Sequence, residues 1–433
     1  MFKRIFAFCC MLLAFANSNA SPTKCAGASF EKLENGISVV FVDTEPSDFL
    51  LIMLCVSSGS GDDVDKRGVA NLLRYMFARK LKERSDSDSI QYGSESNSYT
   101  GHDQSVYYFY GRRENLEGFI KNLGTIFSNF KPTTNDFNES KAAIEQQIEE
   151  DRKVDKNVVR YEARKSLYWH SNYGIEPAGD IDDLKAASEE DVENFKKKNY
   201  TKNRVTIIVA GRIDKNLARG AIVQHFGKEK TESKINRLQE PPHHGSTVKI
   251  SKNSSQTNVA VVEMHWRVPN YRTDKKKALA TEIFVEHLEK TLKKRLIEEQ
   301  KVVASIAFAR SFWNYEYGDL RITITLNNSA SLKNAVNAVL SEIKCIAADN
   351  MTAGQAKEAA ERLAASSDWF SSNADLFDFI DLISQRISSG YDLDFLKSHK
   401  DFVMKFDLDE INAQAKEIFT KDPCVISIIR PIQ

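Results

Sequence analysis

A chain of 433 residues, 42% hydrophobic and 28% charged, is long enough for two sizeable cores at roughly 100–200 residues per domain. Sixty basic side chains balance sixty acidic ones, which argues against a nucleic-acid or other polyanion-binding protein. Nineteen glycines, nine prolines and 10% aromatic residues exclude a disordered or fibrous chain. Beyond residue 20 no apolar run reaches the roughly 18–20 residues that span a bilayer.

At the N-terminus, Lys3 and Arg4 precede the apolar run Ile5 to Ala16, and Ser18 and Ala20 supply small residues at the −3 and −1 positions of a cleavage site. Residues 1–20 therefore read as a secretory signal, the apolar run being short for a retained anchor. Cleavage removes two cations and no acid, and leaves no membrane span. Export, to the periplasm if the source is a Gram-negative bacterium, is the expectation. Cys25, Cys55, Cys345 and Cys424 would remain, too scattered for a zinc ribbon or a redox pair. Cys55 and Cys424 lie in apolar runs and are expected to be buried thiols.

In chain order, strands are predicted at 37–42 and 49–57, a helix at 66–82 and a tyrosine-rich strand at 105–110. Helical patterns follow at about 114–129, 135–151, 158–169 and 187–199, then a strand at 205–209. The second half repeats the order: strands at 248–250 and 259–264, a long helix across 273–299, and strands at 302–312 and 319–326. Helices near 331–347, 353–367, 374–388 and 408–419 lead to a last strand at 425–429. In both halves a helix runs through a Thr-Lys pair, Thr201-Lys202 or Thr420-Lys421, into a β-branched strand. These features predict an α+β fold of two homologous domains, each a mainly antiparallel sheet with helices on one face. The expected division is a signal peptide at 1–20, a first domain at 27–228, a polar linker at 229–246 carrying Pro241-Pro242, and a second domain at 247–433.

In the helix at 66–82, Val69, Leu72, Leu73, Met76 and Phe77 share a core-facing stripe, while Asn71, Arg74 and Tyr75 share another face. Gly68 to Phe77 (GVANLLRYMF) resembles the G-x-A-H-x-L-E-H-M-x-F segment of the pitrilysin/insulinase-type zinc peptidases, the inverted zincins. Asn97-Ser98-Tyr99-Thr100 is similar to that family's N-A-x-T edge strand, and Tyr107 follows at its hairpin aromatic. Tyr173 to Pro177 is similar to its Y-G-x-P loop, Asn203 to Gly211 to its N-x-x-L-x-V-x-G strand, and Leu292 to Val303 to its second-half segment.

The resemblance implies a zinc site of two histidines and a distal glutamate, with an intervening glutamate as general base. Here Asn71 and Tyr75 stand at the histidine positions, Arg74 at the base, and Gln147 (or Gln146, one residue off) at the distal glutamate. Arginine accepts no proton from water. At about 4 Å and an effective dielectric near 20 it would repel a dication by roughly 8 kcal/mol. Amides and an un-ionised phenol are poor zinc ligands. The expectation is a degenerate member with no catalytic residue, no metal and no cofactor, zinc belonging to its active relatives. His102, His170, His243, His244 and His265 lack partners at ligand spacing, and no nucleophile elbow or phosphate loop is present. The family's substrate-holding Arg and Tyr correspond to Ile297 and Ala304, and Glu286 to Glu289 replace its glycine-rich loop. Asn97, Ser98, Tyr99 and Thr100 remain as a candidate peptide-binding edge, since strand addition needs no metal. The resemblance implies a non-catalytic, peptide-binding or partner subunit, paired with an intact zinc peptidase or with itself. The competing reading is a peptidase with a rearranged site.

Overall fold

The computed structural model describes residues 25–44, 48–87, 95–130, 132–234, 246–327, 331–367, 369–370 and 376–432. The predicted signal peptide and Pro241-Pro242 lie outside them, as do His243 and His244.

The first half opens with strands β1 (Cys25–Lys32), β2 (Ser38–Thr44) and β3 (Phe49–Val56), then helix α1 (Val69–Ser87) and the hairpin β4 (Glu95–Thr100) and β5 (Ser105–Arg112). Helices α2 (Leu116–Asn129), α3 (Thr134–Arg152), α4 (Asp155–Leu167), α5 (Ile181–Ala186) and α6 (Glu189–Asn199) lead to β6 (Val205–Ala210) and α7 (Lys215–Phe226). The second half runs β7 (Val248–Ser254), β8 (Val261–Val268), α8 (Lys275–Leu292), β9 (Val303–Ser311) and β10 (Gly318–Leu326). It continues with α9 (Leu332–Ala348), α10 (Ala353–Ser366), α11 (Leu376–Ser388), α12 (Leu393–Val403), α13 (Leu408–Phe419) and β11 (Val425–Pro431).

The sheets have the orders β1-β2-β6-β3-β5-β4 and β7-β11-β8-β10-β9. Setting β1 aside, one order maps onto the other strand for strand, and each sheet has one parallel pair, β2 with β6 and β7 with β11. The other pairs are antiparallel. Duplication is thus visible in topology.

Burial explains which strands sit where. In β3 (FLLIMLCV) every residue after Phe49 is buried, so both faces of the first sheet must be covered. On one face Ile52, Leu54, Tyr107 and Phe109 meet Leu72, Leu73, Met76 and Phe77 of α1 in one core cluster. On the other, Leu51, Met53 and Cys55 share a cluster with Phe379, Ile380 and Ile383 of α11, a helix of the second half. Reciprocally, α4 of the first half packs on β11, β7 and β8. Each half lends a helix to the other half's sheet.

The structure departs from the sequence expectations in several places. Strand β1 and helices α5, α7 and α12 were not predicted, and the long helix widens into a π-helical turn at Lys293–Glu299. Glu286 to Glu289 lie inside α8, where Glu286 and Glu289 both receive the Arg310 guanidinium, so they are helix and not a replaced loop. Cys424 is half-buried, because it sits at the strand's entry, whereas Cys55 inside β3 is fully buried.

Candidate functional site

Helix α1 is anchored at its start by a carboxylate that precedes it. Asp63 accepts the backbone N–H of Gly68 at 2.7 Å and of Ala70 at 2.9 Å, satisfying donors a helix N-terminus leaves free. Burial pushes its carboxyl up to about 7, with the Gly68 and Ala70 donors opposing. The loop before α5 locks the same end. Gly68 and Gly179 both have left-handed backbones, φ +110° and +101°, and a Cβ on Gly179 would lie 2.4 Å from the Gly68 Cα. Side chains are excluded there by space and by conformation.

On the α1 face towards β4 and α3, the degenerate motif positions form one hydrogen-bonded cluster. Arg74 Nη2 donates to Asn71 Oδ1 at 2.7 Å, and Arg74 Nη1 reaches Ser98 Oγ on β4 at 3.4 Å. The Arg74 guanidinium lies 3.7 Å from the centre of the Tyr75 ring. Tyr75 Oη donates to Gln147 Oε1 on α3 at 3.0 Å, so Gln147, rather than Gln146, faces the helix. Behind Arg74, Tyr107 and Tyr200 share a hydroxyl–hydroxyl bond of 2.8 Å. Burial draws the guanidinium below its usual range, opposed by the phenols of Tyr75, Tyr107 and Tyr200. Burial also pushes Tyr200 up to about 12 and Tyr107 well above the phenol range, so both stay neutral.

A zinc ion needs lone pairs converging on one point, from nitrogen, thiolate or carboxylate. In this cluster the Asn71 oxygen accepts from Arg74, the Gln147 oxygen accepts from Tyr75, and the central group is a cation with donors only. The residues present do not fit zinc.

Strand β4 is a terminal strand of its sheet, hydrogen-bonded to β5 alone among the described strands. Its candidate binding residues divide by face. Ser98 points to Arg74, while Tyr99 on the other face donates to Asp381 Oδ1 of α11 and accepts from Gln104 Nε2 at 2.8 Å. Asn97 Oδ1 accepts the N–H of Ser98 at 2.7 Å, and Thr100 lies beside Ser105. The four residues thus offer a backbone edge, with Tyr99 committed to the contact between halves.

That contact draws on Asp103, Tyr168, Tyr315, Asp319 and Ser389, none of them a candidate functional residue from the sequence pattern. Asp103 Oδ1 accepts the Tyr173 hydroxyl, and Asp103 Oδ2 accepts the Tyr315 N–H at 3.0 Å and the Ser389 hydroxyl at 3.1 Å. Tyr168 Oη donates to Asp319 at 2.6 Å, and His102 Nε2 lies 2.9 Å from the Ile175 carbonyl. His265 is buried beside Glu263; burial draws it down to about 4, the Glu263 charge opposing. Ile297 is half-buried in the π-helical turn and Ala304 is exposed on β9. The Tyr173–Asp103 contact joins segments far apart in the chain, so no local spacing in the sequence signals it.

Two halves of matching sheet topology, strand β1 aside, joined by exchanged helices, define a two-domain α+β fold. Residues 38–178 match the family model described as insulinase (peptidase family M16), and residues 186–363 match the one described as peptidase M16 inactive domain. The chain belongs to peptidase family M16. Among curated relatives, it is 24% identical over 224 residues to the mitochondrial-processing peptidase subunit beta of Blastocladiella emersonii, covering 51% of this chain and 48% of that one. The chain thus spans about half the length of the first curated relatives it matches. The first half of the periplasmic protease PqqL from Escherichia coli superposes with a TM-score of 0.77 at 16% identity, over 95% of this chain and 93% of that one. A peptidase M16 inactive domain from Pseudomonas fluorescens gives 0.77 at 15%, over 94% and 98%. At these identities the structures support the fold alone.

Proposed function

We propose that this protein is an exported, zinc-free, non-catalytic member of the M16 family that binds extended peptides as a partner subunit of an active metallopeptidase. The observation that carries the reading is the Asn71–Arg74–Tyr75–Gln147 cluster, in which hydrogen bonds among the substituted side chains take up the oxygens a metal would need. Arginine at the base position neither accepts a proton nor tolerates a neighbouring dication. The intact cap at Asp63 and the well-packed core face of α1 support retention of the fold for another use. Strand β4 keeps the edge geometry that pairs with an extended peptide through main-chain hydrogen bonds. Export is supported by the basic start and short apolar run of residues 1–20.

The test is peptide hydrolysis by the purified chain, alone and mixed in equal amounts with an M16 member that retains H-x-x-E-H. The expected outcome is no turnover alone, and activity that appears or rises in the mixture. Chelator-sensitive hydrolysis by this chain alone would overturn the proposal.

A further inference from the structure

Several guanidinium groups among the described residues, buried or half-buried, meet a carboxylate. Arg204 faces Asp62 at 3.4 Å, Arg310 is held by Glu286 and Glu289, and Arg160 reaches Glu263 at 3.3 Å. Arg74 has no such partner among the described residues: its contacts are the Asn71 amide, the Ser98 hydroxyl and the Tyr75 ring. The groups that act most strongly on its charge, besides burial, are the phenols of Tyr75, Tyr107 and Tyr200, and an ordinary phenol is neutral below about pH 10. A cation drawn out of water without a counter-charge is costly, and neutral acceptors offset only part of that cost.

Its geometry leaves it able to bind. A guanidinium carries five N–H groups in a planar fork. Nη1 and Nη2 each direct one bond, to Ser98 and Asn71, so each terminal nitrogen keeps a second N–H. The Nε atom is buried without a partner, so it does not serve an incoming group. The Tyr75 ring at 3.7 Å fixes the plane of the fork, which lowers the ordering cost of a bidentate contact. The position is also informative. Ser98 is within β4, with residues of the strand on either side, so a peptide paired along that edge would run past Arg74 in both directions.

We propose that Arg74 is a carboxylate-binding residue that takes an acidic group of an extended peptide paired along β4, making the lost metal site an anion site. The inference rests on the peptide-binding reading above and adds a chemical class of ligand: acidic peptides. The carboxylate comes from an Asp or Glu side chain or from the peptide's C-terminus, both of which present the same two oxygens to the fork.

The experiment is selection of a random library of peptides about ten residues long on the immobilised full chain, in two arms, C-terminally amidated and free acid. Wild type is compared with Arg74→Gln and Arg74→Lys after their melting temperatures confirm folding. The expected result is enrichment of Asp or Glu at one register of the amidated library, or of the free-acid arm over the amidated one. The first outcome assigns a side chain and the second a terminus. Affinity for the selected peptides should fall at least about tenfold in Arg74→Gln and less in Arg74→Lys, which keeps the charge but not the fork. Peptides selected without acid preference, or with one unchanged in Arg74→Gln, would overturn this inference and leave peptide binding standing. No peptide selected in either arm would overturn both.

Discussion

At Arg74, the position that the family resemblance assigns to a general base, the side chain has the opposite polarity to the one the resemblance implies. Histidine and glutamate present lone pairs; arginine presents N–H groups, and Asn71 and Gln147 turn their oxygens inward to receive the donors. Asp63 shows how the helix carrying this site is held. Its carboxyl is raised to about 7 by burial, so the native state holds this proton more tightly than the unfolded chain, where aspartate titrates near about 3.9. The sign follows: relative to high pH, Asp63 adds stability as pH falls from about 7 towards 4, and above 7 it is a buried charge. The stability difference between wild type and Asp63→Asn, which cannot titrate, should move in favour of wild type by up to about 2 kcal/mol between about pH 8 and 5.5. Urea melts at the two pH values measure it. A difference that is flat, or that moves the other way, would mean the carboxylate stays ionised on its two N–H donors. Asn71, Arg74 and Tyr75 were legible in the sequence because they sit at i, i+3 and i+4 of one helix, whereas Gln147, on α3, followed only from the family resemblance with Gln146 left open. Asp63 was not, because it caps α1 across an intervening loop, beyond the spacing of a local N-cap.

Among the elements, the exchanged helices and the β4–β5 turn decide how the halves are joined. Helix α11 lies on the first sheet, α4 on the second, and the Asp103 carboxylate ties the turn to the Tyr173 loop, to Tyr315 and to Ser389. Replacing Asp103 by Ala would leave two hydroxyls and one N–H without their acceptor in a buried seam. The expected cost is about 3–5 kcal/mol in urea unfolding. A loss below about 1 kcal/mol would show that water replaces the carboxylate and that the seam is not closed at this point. Helices α1, α3 and α13 were readable from their apolar period, and β3 from its unbroken apolar run. Strand β1 (CAGASFEK) is a sheet edge of small residues with weak alternation, and α7 carries Gly220 and packs on α2. Both depend on tertiary partners more than on local propensity. The exchange of helices was not readable either, since α4 and α11 are ordinary amphipathic segments until their neighbours are known.

For the whole molecule, one sheet topology recurs in two halves, and the first half carries the Arg74 cluster next to β4, a terminal strand among the described residues. The core face of α1 is buried while Asn71, Arg74 and Tyr75 line another face of the helix, so a change of residue there leaves the core packing in place. The most direct measurement is zinc content per chain after equilibrium dialysis against buffered zinc, read by elemental analysis for wild type and for the double variant Asn71→Ala, Tyr75→Ala. The account predicts no retained zinc in either protein. Near-stoichiometric zinc in wild type, lost in the double variant, would contradict it.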